Sequence, residues 1–158
     1  MTHAILSHNG ENRHCGTVTQ SIIINSPPSA VWKEISNFAG LTEWVVDVKK
    51  TEFLSKTKRG IGAVRKITFA DGTEVVEYAV GWRDGEYLSY IATSGLPLDG
   101  YHATISVLQK GDTTNLRWTS FLISTGSDKK QFEEFLTFME SFYASSLKNL
   151  KIKLEKAT

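Results

Sequence analysis

The 158-residue sequence is poor in several features, and each scarcity removes a class of protein. It has one cysteine, Cys15, which excludes an internal disulfide and the multi-cysteine zinc patterns. Eighteen basic side chains face seventeen acidic ones, and a formal net charge of +1 gives no global field to draw in nucleic acid. No apolar run approaches the ~20 residues of a membrane span, and the N-terminus lacks a signal-peptide core. The expectation is a cytoplasmic protein with no integral membrane segment. Catalytic signatures are missing as well: there is no G-x-S-x-G, no H-E-x-x-H and no P-loop. Gly60-Ile61-Gly62 lacks a third glycine and opens a strand, so it is no dinucleotide fingerprint. No metal and no cofactor are expected.

What is present is one domain's length of chain with a long amphipathic close. Residues 1–16 are polar, hold His3, His8, His14 and Cys15 in no metal-ligand spacing, and read as a flexible arm ahead of a single domain over 17–156. The stretch 127–156 reads as one helix of roughly 40 Å. Its apolar residues recur at helical spacing: Phe132, Phe135, Leu136, Met139, Phe142, Tyr143, Leu147, Leu150 and Leu154. Asp128 with Gln131 three residues on marks its start. Upstream, seven strands are expected at 17–24, 45–54, 63–69, 73–82, 86–93, 101–109 and 114–123, from β-branched content and turn dipeptides. Two of the chain's three prolines, Pro27-Pro28, close the first strand and open a short helix over 29–37, and Leu41–Trp44 reads as a second helical turn.

Side-chain alternation suggests a register. A two-residue turn at Asp71-Gly72 sets Ile67 opposite Val76, Arg65 opposite Tyr78 and Phe69 opposite Glu74, with Lys66 and Glu77 paired on the outer face. A three-residue loop at Arg83-Asp84-Gly85 pairs Val80 with Leu88 and Tyr78 with Tyr90. A turn at Gly111-Asp112 places Leu116 and Trp118 opposite Val107 and Ile105. Strand, two short helices, six strands and a long helix make an α+β layout in which the helix covers one face of an antiparallel sheet.

That order resembles the helix-grip fold of the START/Bet v 1-like (SRPBCC) superfamily. The local sequence resembles its polyketide cyclase/dehydrase and lipid-transport branch. The likeness is carried by Ile24-Asn25-Ser26-Pro27-Pro28-Ser29-Ala30-Val31-Trp32, by Ile35-Ser36-Asn37-Phe38 with Leu41 and Trp44, by Gly60–Arg65 before the Asp-Gly hairpin, and by Tyr101. It implies a seven-stranded curved sheet around the terminal helix, with a cavity between them. The matching inner-face positions are Ile67, Phe69, Val76, Tyr78, Tyr90, Tyr101 and Trp118, with Phe135, Phe138, Met139 and Phe142 on the helix; plain core packing of the same residues is the alternative. Plant abscisic-acid receptors of this superfamily share the wording Ser94-Gly95-Leu96-Pro97, but after a different strand, and Val45 stands at their carboxylate-binding lysine. A receptor of that kind is not expected.

Several residues are candidates for chemistry. Gly95, Leu96, Pro97 and Leu98 form an apolar loop tip between glycines, suited to a gate or to a homodimer contact. Arg65 is a candidate polar anchor and Glu74 its companion on the same face. Tyr78, Tyr90 and Tyr101 can orient a ketone. Ser146 either touches ligand or bonds back to the carbonyl of Phe142. The leading expectation is binding or transport of a hydrophobic small molecule. The alternatives are a cyclase, aromatase or dehydratase using pocket Tyr, Arg and Glu, and a co-chaperone-like interaction module.

Overall fold

The computed structural model describes residues 3–7, 13–126 and 128–156; His8 and the expected helix start at Ser127 lie outside them. Its architecture is the expected α+β arrangement, an antiparallel sheet with a long terminal helix. The strands are β1 (Leu6–Ser7), β2 (His14–Ile24), β3 (Val48–Phe53), β4 (Val64–Phe69), β5 (Glu74–Arg83), β6 (Tyr87–Ser94), β7 (Leu98–Lys110) and β8 (Thr113–Ser124). Their spatial order is β1-β2-β8-β7-β6-β5-β4-β3. Eight strands appear where seven were expected, because the two-residue β1 pairs with the start of β2. The expected boundary at residue 16 therefore falls inside β2. Between β2 and β3 lie helix α1 (Pro28–Ile35) and a 3-10 turn at Leu41–Glu43, and α2 (Lys129–Lys156) closes the chain.

Local chemistry explains the helix ends. Pro28 occupies the first turn of α1, where its missing N–H costs nothing. Asp128 caps α2 by accepting from the Gln131 amide at 2.8 Å. Among the described residues no helix is long and apolar enough to cross a membrane.

The sheet registers divide into one that matches expectation and two that do not. In the β7–β8 pair Val107 lies opposite Leu116 and Ile105 opposite Trp118, as the Gly111-Asp112 turn predicts. Phe121 faces outward. The β4–β5 pair is slipped by one residue: Arg65 lies opposite Glu77 and Ile67 opposite Val75. The cause is the turn. Phe69 N donates to Thr73 O and Gly72 N to Phe69 O, so the loop holds Ala70, Asp71 and Gly72, with Gly72 at φ +89° in the left-handed region. A two-residue type I′ turn would need Asp71 at positive φ as well, and among the described residues Asp47 alone of the non-glycines has it.

The slip turns β5 over. Val75, Glu77 and Ala79 point inward, whereas Glu74 is exposed, Val76 is half-buried on the outer face and Tyr78 is 41% exposed. The expected outer pair of Lys66 with Glu77 gives way to Lys66 with Glu74 at 3.4 Å. At the β5–β6 turn the loop is Asp84-Gly85-Glu86, one residue later than expected, so Trp82 pairs with Leu88. Val80 is the extra residue of a bulge, and Tyr90 therefore sits opposite Ala79.

Helix α2 carries two stripes rather than one. Phe132, Leu136, Met139, Tyr143, Leu147, Leu150 and Leu154 are buried. Phe135 and Phe142, half-buried, and Phe138, 60% exposed, form a second stripe rotated around the axis. The first stripe packs on the sheet near β2 and β8. Gly16 permits the close approach, since a Cβ there would lie 3.0 Å from Leu136 Cδ1. The last turns of α2 also hold α1 and the segment after it. Val46 N donates to Ser146 Oγ at 3.1 Å, Asn149 Nδ2 to Trp44 O at 3.2 Å, and Lys153 pairs with Glu34 at 2.9 Å. Ser146 is thus neither a cavity residue nor bonded back to Phe142.

The two stripes predict opposite responses to truncation. Leu150→Ala should lower unfolding free energy by about 2–5 kcal/mol, the range for a buried leucine. Phe138→Ala should change it by less than about 0.5 kcal/mol, as for an exposed site. Urea denaturation of both variants checks the division.

Candidate functional site

Where α2 turns its second stripe toward the sheet, the two surfaces enclose a cavity of about 430 Å³. Its walls are apolar and largely aromatic: Ile67 and Phe69 from β4, Val75 from β5, Ile105 from β7, Trp118 from β8, and Phe135, Phe138, Met139 and Phe142 from α2. Leu41, Trp44 and Val45 close one side. The rings form a continuous relay, with Phe135–Phe138, Phe138–Phe142, Phe142–Trp118 and Phe142–Phe69 centroids all at 6.2 Å. Trp118 stacks on Tyr143 at 3.9 Å and 11°. The rim is formed by exposed residues, Asp47, Ala70, Asp71, Thr73, Gly95, Pro97 and Phe138.

The far end of the cavity is polar and buried. Arg65, 4% exposed, binds Glu77, 6% exposed, through Nε at 2.7 Å and Nη2 at 2.6 Å, both on Oε2. Its Nη1 donates to the carbonyl of Phe38 at 2.7 Å, and its guanidinium lies 3.9 Å from the Phe38 ring and 4.8 Å from that of Tyr90. Beside this pair runs a chain of phenols. Trp118 Nε1 donates to Tyr90 OH at 3.0 Å, Tyr90 and Tyr101 hydroxyls lie 3.5 Å apart, and Tyr101 bonds the hydroxyl of Tyr143. Burial pushes the Glu77 carboxyl up from its ordinary value, and the Arg65 charge opposes that rise. Burial also drives the phenols of Tyr90, Tyr101 and Tyr143 upward, so they act as protonated donors rather than as bases.

Most of the residues singled out in the sequence meet here. Ile67, Phe69, Tyr90, Tyr101, Trp118, Phe135, Phe138, Met139 and Phe142 line the cavity, as does Arg65. Glu74, Val76 and Tyr78 do not, for the register reason already given, and Ser146 is engaged with Val46. Of the loop tip, Gly95, Leu96 and Pro97 reach the cavity, while Leu98 borders a small crevice beside it. Gly95 is held tightly: at φ +94° an added Cβ would sit 1.9 Å from Glu74 O. The sequence reasoning missed Glu77 and Val75, both displaced by the slip, and Trp44, Asp47 and Asp71. The signal that would have found Glu77 was the buried-side arginine itself, which needs an acid on the facing strand.

The family model described as polyketide cyclase/dehydrase and lipid transport matches residues 16–155. No curated protein sequence matches the chain. Among solved structures, the protein XoxI of Bacillus cereus is 26% identical with a TM-score of 0.75, over 87% of this chain and 94% of that one. A protein of Thermobifida fusca is 20% identical at TM-score 0.74, covering 89% and 93%. One of Thermus thermophilus is 20% identical at TM-score 0.71, covering 90% and 99%. At 20% identity the last two speak to the fold alone.

The buried phenols make an alkaline prediction. Their folded pKa values lie above the ordinary value of 10.0, so the unfolded chain loses these protons first. Their contribution to stability is complete below about pH 10 and is lost as pH rises above it, by up to ~1.4 kcal/mol per pH unit for each phenol. Denaturation measured from pH 8 to 11 should show this loss, and Tyr101→Phe should shallow it.

Proposed function

The chain belongs to the polyketide cyclase/dehydrase and lipid-transport family, and from that premise we propose that it binds or carries an apolar small molecule between its sheet and α2. The ligand class is a lipid, an isoprenoid or a polyketide-like ring. The observation that carries the reading is the cavity of about 430 Å³ with its aromatic wall and exposed rim. That volume lies within the range of small-molecule sites, which combine a mostly apolar lining with a few convergent polar groups. Phe138, left 60% exposed at the rim, offers apolar surface where a ligand would enter.

A second reading, catalysis of the cyclase or dehydratase type, draws on the buried cluster of Arg65, Glu77, Tyr90 and Tyr101. In it the phenols polarise a ketone as donors and Glu77, rather than the outward Glu74, accepts a proton. Binding without turnover of any cyclisable ketone would count against that version and leave the first intact.

The binding reading is tested with Nile red, an uncharged apolar fluorophore, and with native mass spectrometry of protein purified without detergent. Nile red fluorescence should rise on binding. Ile67→Phe, which adds bulk to the cavity wall, should weaken binding roughly tenfold or more with little change in Tm. A wild-type protein that neither binds Nile red nor retains an apolar ligand would overturn it.

A further inference from the structure

The charge distribution of the cavity narrows the ligand class. The ionisable side chains lining it at neutral pH, apart from the tyrosines, are Arg65, Glu77, Asp47 and Asp71, one cation against three carboxylates. The cation is already engaged. Arg65 spends Nε and Nη2 on Glu77 and Nη1 on the Phe38 carbonyl. Among the described residues no lysine lines the space. Both bonds from Arg65 fall on Oε2 of Glu77, and Glu77 lines the cavity, so its carboxylate keeps capacity to accept a further hydrogen bond there. Tyr90, whose ring lies 4.8 Å from the Arg65 guanidinium, and Tyr101 line the same cavity, and their hydroxyls can donate or accept. A buried acceptor next to buried hydroxyl donors matches a group that both gives and takes a hydrogen bond. A carboxylate placed there would bring a second negative charge against Glu77 in a desolvated site.

We propose that the cavity selects an uncharged ring ligand bearing a hydroxyl or amide group, which both gives and takes a hydrogen bond, and rejects the corresponding carboxylate, with Glu77 as the specificity-determining residue. This rests on the cavity being the site of apolar binding, and deepens that reading by naming the polar head the ligand carries. The aromatic wall takes the ring and the Glu77–Tyr90–Tyr101 end takes the oxygen. Arg65 serves the selection indirectly: it holds Glu77 in place while having its own charge cancelled.

The experiment is displacement of Nile red at neutral pH by three probes of one ring system: 2-naphthol, 2-naphthamide and 2-naphthoate. The expected result is that naphthol and naphthamide displace the dye, with naphthoate weaker by about tenfold or more, given that like-charge juxtaposition at an interface costs several kcal/mol. Glu77→Gln keeps the shape of the side chain and leaves the Arg65 charge uncompensated, so it should narrow or reverse that gap. Equal competition by all three on wild-type protein, or tighter naphthoate, would overturn the assignment while leaving apolar binding standing. Nile red binding that none of the three displaces would also overturn it. Failure of Nile red itself to bind would remove the underlying binding reading, a result distinct from both. Should Glu77→Gln fail to fold, the wild-type series alone decides.

Discussion

The buried pair of Arg65 and Glu77 is the constraint around which the rest is arranged. It joins facing residues of β4 and β5, and its third strong bond reaches the carbonyl of Phe38, just past α1. Desolvating each ion costs several kcal/mol even after relaxation, which only close geometry and further hydrogen bonds can offset. Both conditions hold here, at 2.6–2.7 Å and with two aromatic faces against the guanidinium. The pair also makes the register unforgiving. Slipping β5 by one residue would carry Glu77 to the outer face and leave Arg65 as an uncompensated buried charge. The same contact that fixes the hairpin therefore fixes the polar end of the cavity.

The cavity itself stays open because α2 is held from two sides. Its buried stripe packs on the sheet near Gly16 at one end, and its last turns hold the backbone of Trp44 and Val46 through Asn149 and Ser146 at the other. Trp44 is thereby set 5.6 Å from Trp118, filling the space beside β8. Rotation of α2 about its axis then decides which aromatics pack and which line. Tyr143 goes to the core against Trp118, and its neighbour Phe142 goes to the wall.

Much of this was legible in the sequence, and the failures share one cause. Proline placement, helical spacing and turn dipeptides located the elements, and alternation in β7 and β8 gave their register and the inward set Tyr101, Ile105 and Trp118. In β5 the same alternation pointed the wrong way. Val76, Tyr78 and Val80 are the more apolar phase, yet Tyr78 and Val80 are 41% and 40% exposed while Glu77 is buried. Periodicity reads hydrophobicity, and it cannot see that a charge on the facing strand changes the sign of the burial term. Asp71-Gly72 suits a two-residue or a three-residue loop equally well, so turn chemistry did not break the tie. Ser146 was singled out but given the wrong partner for a related reason: the Val46 amide that it binds lies 100 residues away.

The stability of such a layout bears on what the cavity is for. A sealed apolar void destabilises by ~24 cal/mol per Å³, so 430 Å³ left empty would cost on the order of 10 kcal/mol, comparable with the whole stability of a domain. A fold under no demand for the space would shed that cost by packing, and the aromatic stripe of α2 is bulky enough to do so. Phe135, Phe138 and Phe142 instead stack on one another along the wall, with Phe138 directed to the rim. The polar end and the exposed rim let water or ligand occupy the interior, which removes most of the penalty. The shape is therefore a compromise between packing and occupancy. Occupancy by an apolar ring, as proposed, would both fill the volume and cover Phe138, so that binding and folding would favour the same arrangement.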